Sequence, residues 1–221
     1  MRKGRYRHVL QKAALVAWAA LIILAVIKRD SLSVETIISY TPADKWAAAL
    51  TLLGFFALKT LSVVFYSGLL FTVSGMLFDL PFAIAVSIAG TLVMLLEGYA
   101  IGRAGGQDLI KELSEKYPRF AAFTGLQGRR PFTFTLLIRM LKVVNYDIGS
   151  MYMGASRMRL IPYLAGSLTA LLPEIILFAI AGNGISNMDA LPAAASVAVY
   201  LVMTVLSIII LRYLAKNAEV S

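Results

Sequence analysis

Two nine-residue stretches carry the residues best suited to chemistry. "LKTLSVVFY" (Leu58–Tyr66) and "IRMLKVVNY" (Ile138–Tyr146) lie 80 residues apart and align without a gap. They share a cation (Lys59/Arg139), Leu61/Leu141, Val63/Val143, Val64/Val144 and a closing tyrosine (Tyr66/Tyr146). The second stretch adds Lys142, Asn145 and, one residue on, Asp147. On a continuous helix Arg139, Lys142 and Tyr146 stand at i, i+3 and i+7 and share a face. A guanidinium, an ammonium and a phenol on one face can grip a phosphate through charge-assisted hydrogen bonds. Lys59 and Tyr66 mirror that set.

Carboxylates complete the inventory. Glu97 and Glu174 sit inside apolar runs, and Glu174 follows Pro173, which removes one backbone donor and is expected to open the helix at Thr169. A carboxylate beside opened backbone can couple protons or balance charge; Glu97, Asp147 and Glu174 are the candidates. The competing reading of Glu174 is a structural ion pair with Lys59 or Arg139, and Asp147 is a further partner for a cation. The chain has no cysteine and one histidine, His8, in a basic tail. Thiolate chemistry is excluded, and a His-based metal site or general base is not expected. No Ser/His pair, paired aspartates or metal-ligand cluster stands out, so neither an enzyme nor a metal or cofactor is expected. "GRAGG" (Gly102–Gly106) follows an apolar run rather than a strand and lacks the Lys-Ser/Thr of a phosphate loop.

The elements that must position these groups are apolar. Of 221 residues 59% are hydrophobic and 15% charged, against about a quarter charged in soluble domains, and mean hydropathy is +0.78. This is the composition of an all-α integral membrane protein. The net charge of +9 resides at the N-terminus and between apolar runs, which suits anionic lipid; no basic domain remains for nucleic acid. A cation at membrane depth costs about 2.5–3.5 kcal/mol, so Lys59 is expected to face a cavity or partner. Arg139, nearer the end of its run, has the alternative of snorkelling to the headgroups.

The expected order is a basic tail (1–12), an anchor helix (13–27), a membrane domain (46–186) and a C-terminal spanning helix (190–211). Counting Lys and Arg between runs puts the N-terminus, the 102–131 loop, Arg157/Arg159 and the Arg212/Lys216 tail in the cytoplasm. Segments 46–78 and 132–155 must then enter and return on the same side, each followed by a spanning helix (80–101 and 160–181). The 80-residue echo thus reads as an inverted repeat of re-entrant hairpins, a plan recurrent among transporters. The alternative is one long helix plus an interfacial one. Glycines near the breaks fit the irregular backbone that such hairpins need. Within the loop, Leu109, Leu113 and Tyr117 are expected to form a short amphipathic surface helix.

"GTLVMLLEGYAIGRAGG" (Gly90–Gly106) resembles the "G-x-x-x-G…Y-x-x-G-R-x-x-G" signature of the DedA/VTT-domain superfamily. The stretch from Ile138 through Ser186 is similar to that family's second half. The resemblance covers roughly residues 46 to 186 and is to the general VTT branch: Lys142 and Asn145 stand where many relatives have proline, and the first hairpin lacks the acidic/proline motif of DedA proper. It implies that Arg139 is the family arginine, and that Gly75, Gly90, Gly102, Arg103, Gly154, Gly166 and Pro173 shape hairpins and helix breaks. It also implies an inner-membrane protein with both termini cytoplasmic, whose relatives move lipids between leaflets as scramblases or ion-coupled flippases of polyprenyl-phosphate carriers. On this reading Lys59, Tyr66, Arg139, Lys142, Asn145 and Tyr146 handle the headgroup and membrane lipids are the partners. A homo-oligomer is left open. The alternatives are a secondary transporter of a small anion or ion, and a membrane scaffold or assembly factor.

Overall fold

The computed structural model describes residues 38, 41–62, 66–116, 124–142 and 144–218, and all regular structure among them is helical. The basic tail, His8 and the anchor helix 13–27 lie outside the described residues. Helix α1 (Lys45–Ser62) starts where Asp44 Oδ1 accepts the backbone N–H groups of Trp46 and Ala47 at 3.1 and 2.8 Å, a side-chain cap for two orphan donors. Helix α2 (Ser67–Leu77) follows, then the long α3 (Leu80–Lys116). The short α4 (Thr124–Arg129) leads to α5 (Pro131–Met140), which opens with proline at its first position, where no N–H is needed. Helix α6 (Tyr146–Ala155) is capped by Asn145, whose side chain accepts from Asp147 N–H. Helices α7 (Leu160–Ser186) and α8 (Ala190–Ala218) complete the chain.

Three helices are long and apolar enough to cross a membrane, Leu80–Gly106, Leu160–Ser186 and Ala190–Ile210. The protein is a membrane protein. Segments 46–78 and 132–155 each resolve into two shorter helices with a break between them, α1/α2 and α5/α6. The first arm of each pair packs on the long helix of its own half, α1 on α3 and α5 on α7. The second arm crosses over, α2 onto α7 and α6 onto α3. The halves are therefore interlocked around one core of buried residues that includes Leu52, Phe56, Phe71, Phe134, Ile138, Tyr163 and Ile175.

Several boundaries differ from expectation. Helix α3 does not end at Ile101: it runs to Lys116, broken only at Gly106, so the supposed loop 102–131 is helical over 102–116 and 124–129. Gly106 adopts φ 61°, ψ −146°, a conformation that glycine alone adopts readily, and it marks the end of the apolar span. Helix α7 extends to Ser186 and α8 to Ala218. Pro173 does not split α7, which continues through it. Packing of α2, α3 and α5 along α7 holds the helix together across the one missing hydrogen bond.

The glycines assigned to helix breaks do something else. Gly75, Gly90, Gly102, Gly154 and Gly166 lie inside helices, and Gly106 is the one glycine with positive φ among the described residues. A Cβ on Gly75 would overlap the carbonyl of Ala179, and one on Gly182 the carbonyl of Thr72, so α2 and α7 touch backbone to backbone. A Cβ on Gly154 would overlap the carbonyl of Tyr99, and one on Gly102 that of Met151, so α6 and α3 do the same. The two crossings are copies 79–80 residues apart. Gly90 makes room for the Phe56 ring, and Gly166 for the Phe132 carbonyl and Thr135. Without water to drive helices together, such small-residue contacts are how membrane helices gain close packing.

Candidate functional site

The two pairs of helices are joined by a buried ion pair beside their breaks. Lys59, near the end of α1, donates to both oxygens of Asp147 in the first turn of α6, at 2.8 and 2.7 Å. Both side chains are only 5% exposed. The deep cation of the first half is thus neutralised by a carboxylate of the second. Removing either partner would strand a buried charge, which typically costs about 3–5 kcal/mol.

Arg139 is paired differently. It is 2% exposed, so it does not snorkel. Its Nε donates to Ser167 Oγ at 3.3 Å, one terminal nitrogen to the Tyr146 carbonyl and the other to Ser150 Oγ, both at 2.7 Å. The guanidinium also lies 5.5 and 5.9 Å from the ring centroids of Tyr146 and Tyr163. It therefore joins α5, α6 and α7 and does not line the cavity between the breaks. The shared helix face of Arg139, Lys142 and Tyr146 does not form, because α5 ends at Met140. Lys142 takes a left-handed conformation, φ 48°, just past the helix end, a place usually given to glycine.

Glu174 pairs with neither cation. It lies in the middle of α7, 14 residues or about 21 Å from Leu160. Tyr66 Oη donates to its Oε1 at 3.0 Å and Tyr146 Oη to its Oε2 at 2.7 Å. The tyrosines that echo each other in sequence thus share one carboxylate. From Tyr66 the network continues: its hydroxyl hydrogen-bonds that of Tyr200 on α8, and Tyr200 accepts from Lys142 Nζ at 2.8 Å. Lys142 also donates to Thr204 Oγ1 at 3.1 Å and stands over the Tyr200 ring at 4.4 Å.

These groups border a cavity of about 240 Å³ lined by Lys59, Tyr66, Ser67, Lys142, Val144, Asn145, Tyr146 and Tyr200. Its electrostatics favour an anion for two reasons. Helices α2 and α6 both begin at its wall, and the N-terminal end of a helix carries partial positive charge and unpaired N–H groups. Lys142 brings a full charge, and its hydrogen-bond partners are neutral hydroxyls. Asn145 uses its oxygen for the α6 cap, which leaves its amide N–H donors for a ligand.

A family model, described as the VTT domain, matches residues 63–184, more than half of the chain. The chain belongs to the VTT-domain family. No curated protein and no solved structure matches it. The matched span holds both breaks, the whole of α2 to α6 and most of α7, whereas Lys59, Tyr200 and Thr204 fall outside it. Tyr99, Gly102 and Arg103, inside the matched span, have a shared physical task. Tyr99 Oη donates to the Met158 carbonyl, Arg103 donates to Tyr99 Oη at 3.0 Å, and Gly102 lets the Met151 carbonyl approach. All three serve the crossing of α3 with α6 and its exit turn, remote from the cavity.

Of the nine residues singled out for chemistry, Tyr66, Lys142, Tyr146 and Glu174 share one hydrogen-bond network through Tyr200, Lys59, Asn145 and Asp147 form a second set beside it, and Arg139 ties in through the Tyr146 carbonyl. Glu97 lies apart, half-buried beside the Thr60 hydroxyl. Sequence reasoning missed Tyr200, Thr204, Ser67, Ser150 and Ser167. For α8 a signal existed. Ser196, Tyr200 and Thr204 recur every four residues, with Ser207 next, and form a polar stripe on an otherwise apolar helix.

Proposed function

We propose that this VTT-domain protein moves a phosphate-bearing lipid between the leaflets of the cell membrane, the inner membrane of a two-membrane cell. The observation that carries the reading is the convergence of two helix N-termini and Lys142 on one cavity, with Lys59 already neutralised by Asp147. Broken helices whose N-terminal halves point at an anionic group are a transporter device. In this reading the α1/α2 and α5/α6 pairs are re-entrant from opposite membrane faces, and the repeat is inverted. Both chain termini are cytoplasmic, and membrane lipids are the partners. Lys142 and the Asn145 amide hold the phosphate as it passes and Tyr66 lines its path; Glu174, held by the Tyr66 and Tyr146 hydroxyls, balances charge. No covalent step is involved and no cofactor is required.

The test is leaflet exchange of a fluorescent phospholipid in liposomes carrying purified protein, wild type beside Lys142→Gln and Glu174→Gln. Exchange is expected with wild type and reduced about tenfold or more by Lys142→Gln, the factor one charge-assisted hydrogen bond represents. Folded wild-type protein that gives no exchange sinks the reading and leaves a small-anion carrier or a scaffold.

A further inference from the structure

Helix α8 stands at the edge of the bundle. Its apolar span is almost entirely uncovered by protein, with 6% of the window buried, and it packs mainly on α7. It joins α7 through a tight turn in which Met188 is 96% exposed and left-handed, φ 56°. Away from α7, its described polar ties are Lys142 to Tyr200 and Thr204, and Tyr200 to Tyr66. Tyr200 is 10 residues past Ala190, about 15 Å along the helix, half the thickness of a bilayer core.

The seam between α7 and α8 holds a second space, an open apolar groove of about 680 Å³ walled by Ala181, Gly184, Ala194, Val197, Ala198 and Leu201. The polar cavity takes one wall residue from α8, Tyr200, next in sequence to the groove's Leu201. Two rings near the groove's Ala181 and Leu201, Phe178 and Tyr200, are in edge contact at 4.7 Å, and Tyr66 is 5.7 Å from Phe178. The cavity beside Tyr200 carries Lys142, whereas the groove is apolar and open. Charge orients an occupant: the groove's far end carries Asp189, the cavity end Lys142.

We propose that the α7/α8 seam is the lateral site for the lipid itself: an acyl chain lies in the groove, its phosphate reaches Lys142, and Tyr200 with Phe178 is the gate. In the closed state Lys142 latches α8 through Tyr200 and Thr204. An incoming phosphate offers the ammonium a stronger acceptor, frees both hydroxyls and lets α8 swing from the tip of α5. The proposal rests on the phosphate-lipid reading above and adds its entry route and latch.

The chain has no cysteine, so a single Ser196→Cys, one turn before Tyr200 and 5% exposed, reports on the latch while both acceptors of Lys142 stay in place. The probe is the rate of maleimide labelling at position 196 in phosphatidylcholine nanodiscs, with and without added phosphatidic acid. Lys142→Gln in this background is expected to raise the basal rate about tenfold, since it removes the charged donor. Phosphatidic acid is expected to accelerate labelling when Lys142 is present and not when it is glutamine. Ala198→Trp, which fills the groove, is expected to abolish the response to phosphatidic acid and keep the slow basal rate. A basal rate unmoved by Lys142→Gln overturns the latch, whatever the transport assay gives. Acceleration by inorganic phosphate alone, indifferent to Ala198→Trp, overturns the acyl groove and points to a free anion. A latch and lipid response as expected, in a protein that exchanges no lipid, upholds this site and defeats the transport reading.

Discussion

The two halves of this protein are alike where helices touch and unlike where charges sit. Gly75 and Gly182 at one crossing are repeated as Gly154 and Gly102 at the other, each pressed against a carbonyl of the opposite helix. The polar positions diverge. Lys59 finds Asp147 across the halves, whereas Arg139 at the echoed position is held by hydroxyls and a carbonyl on α6 and α7. Glu174 has Met94 as its echo and Asp147 has Ser67, so each acid exists in one copy. An exchanged pair of arms demands matching surfaces at both crossings, because backbone contact leaves no room for a side chain. A single shared cavity makes no such demand.

The sharpest break of this comparison is between the two cations. Asp147→Leu alone is expected to destabilise the protein by about 3–5 kcal/mol by stranding Lys59, and adding Lys59→Met is expected to recover most of that. Thermal unfolding of the detergent-solubilised variants measures both; a double variant no better than the single would mean that the pair is not the source of the loss. Next comes Glu174 with its two phenols. Tyr146→Phe is expected to cost about 1.5–3 kcal/mol, because it removes a hydrogen bond to a buried carboxylate. Tyr66→Phe should cost less, because Tyr66 is 49% exposed and water can replace it. Equal losses would deny the asymmetry.

The duplicated crossings give the symmetric control. Gly75→Ala and Gly154→Ala should each cost about 1–3 kcal/mol through overpacking, and by matching amounts in the same unfolding assay. A large difference between them would show that the halves are packed less alike than the carbonyl contacts indicate. The smallest effect is at the surface, where Lys45 bonds Asp79 at 2.8 Å and holds that carboxyl below its ordinary value. A depressed carboxylate contributes stability above its unfolded pKa and loses it as pH falls through the folded one. Acidification through and below the ordinary carboxylate range should therefore lower the unfolding temperature slightly, and Asp79→Asn should remove that small slope.

Much of this was written in local residue patterns. The helical, membrane-borne class follows from apolar runs, and the halves follow from the echo of Lys59–Tyr66 in Arg139–Tyr146. The polar groups that gather at the cavity were nearly all visible as costly residues in apolar surroundings. Their partners were not. Pairing Lys59 with Asp147 spans 88 residues, and bringing two tyrosines onto Glu174 requires both breaks to meet α7. The glycines were legible as special but assigned the wrong task, since a break and a close crossing both ask for a missing side chain. The stripe of Ser196, Tyr200 and Thr204 was there to be read, and only its direction toward Lys142 gave it meaning.

By itself, then, the amino-acid order determined which residues were too polar for their surroundings and that the chain repeats itself. Those properties are local: they depend on side-chain transfer free energies and on spacing along the chain. Tertiary structure decided which charge answers which. It made Arg139 a tie between helices and left Lys142 to face the cavity, because the end of α5 and the crossing of the arms set their distances from every acceptor.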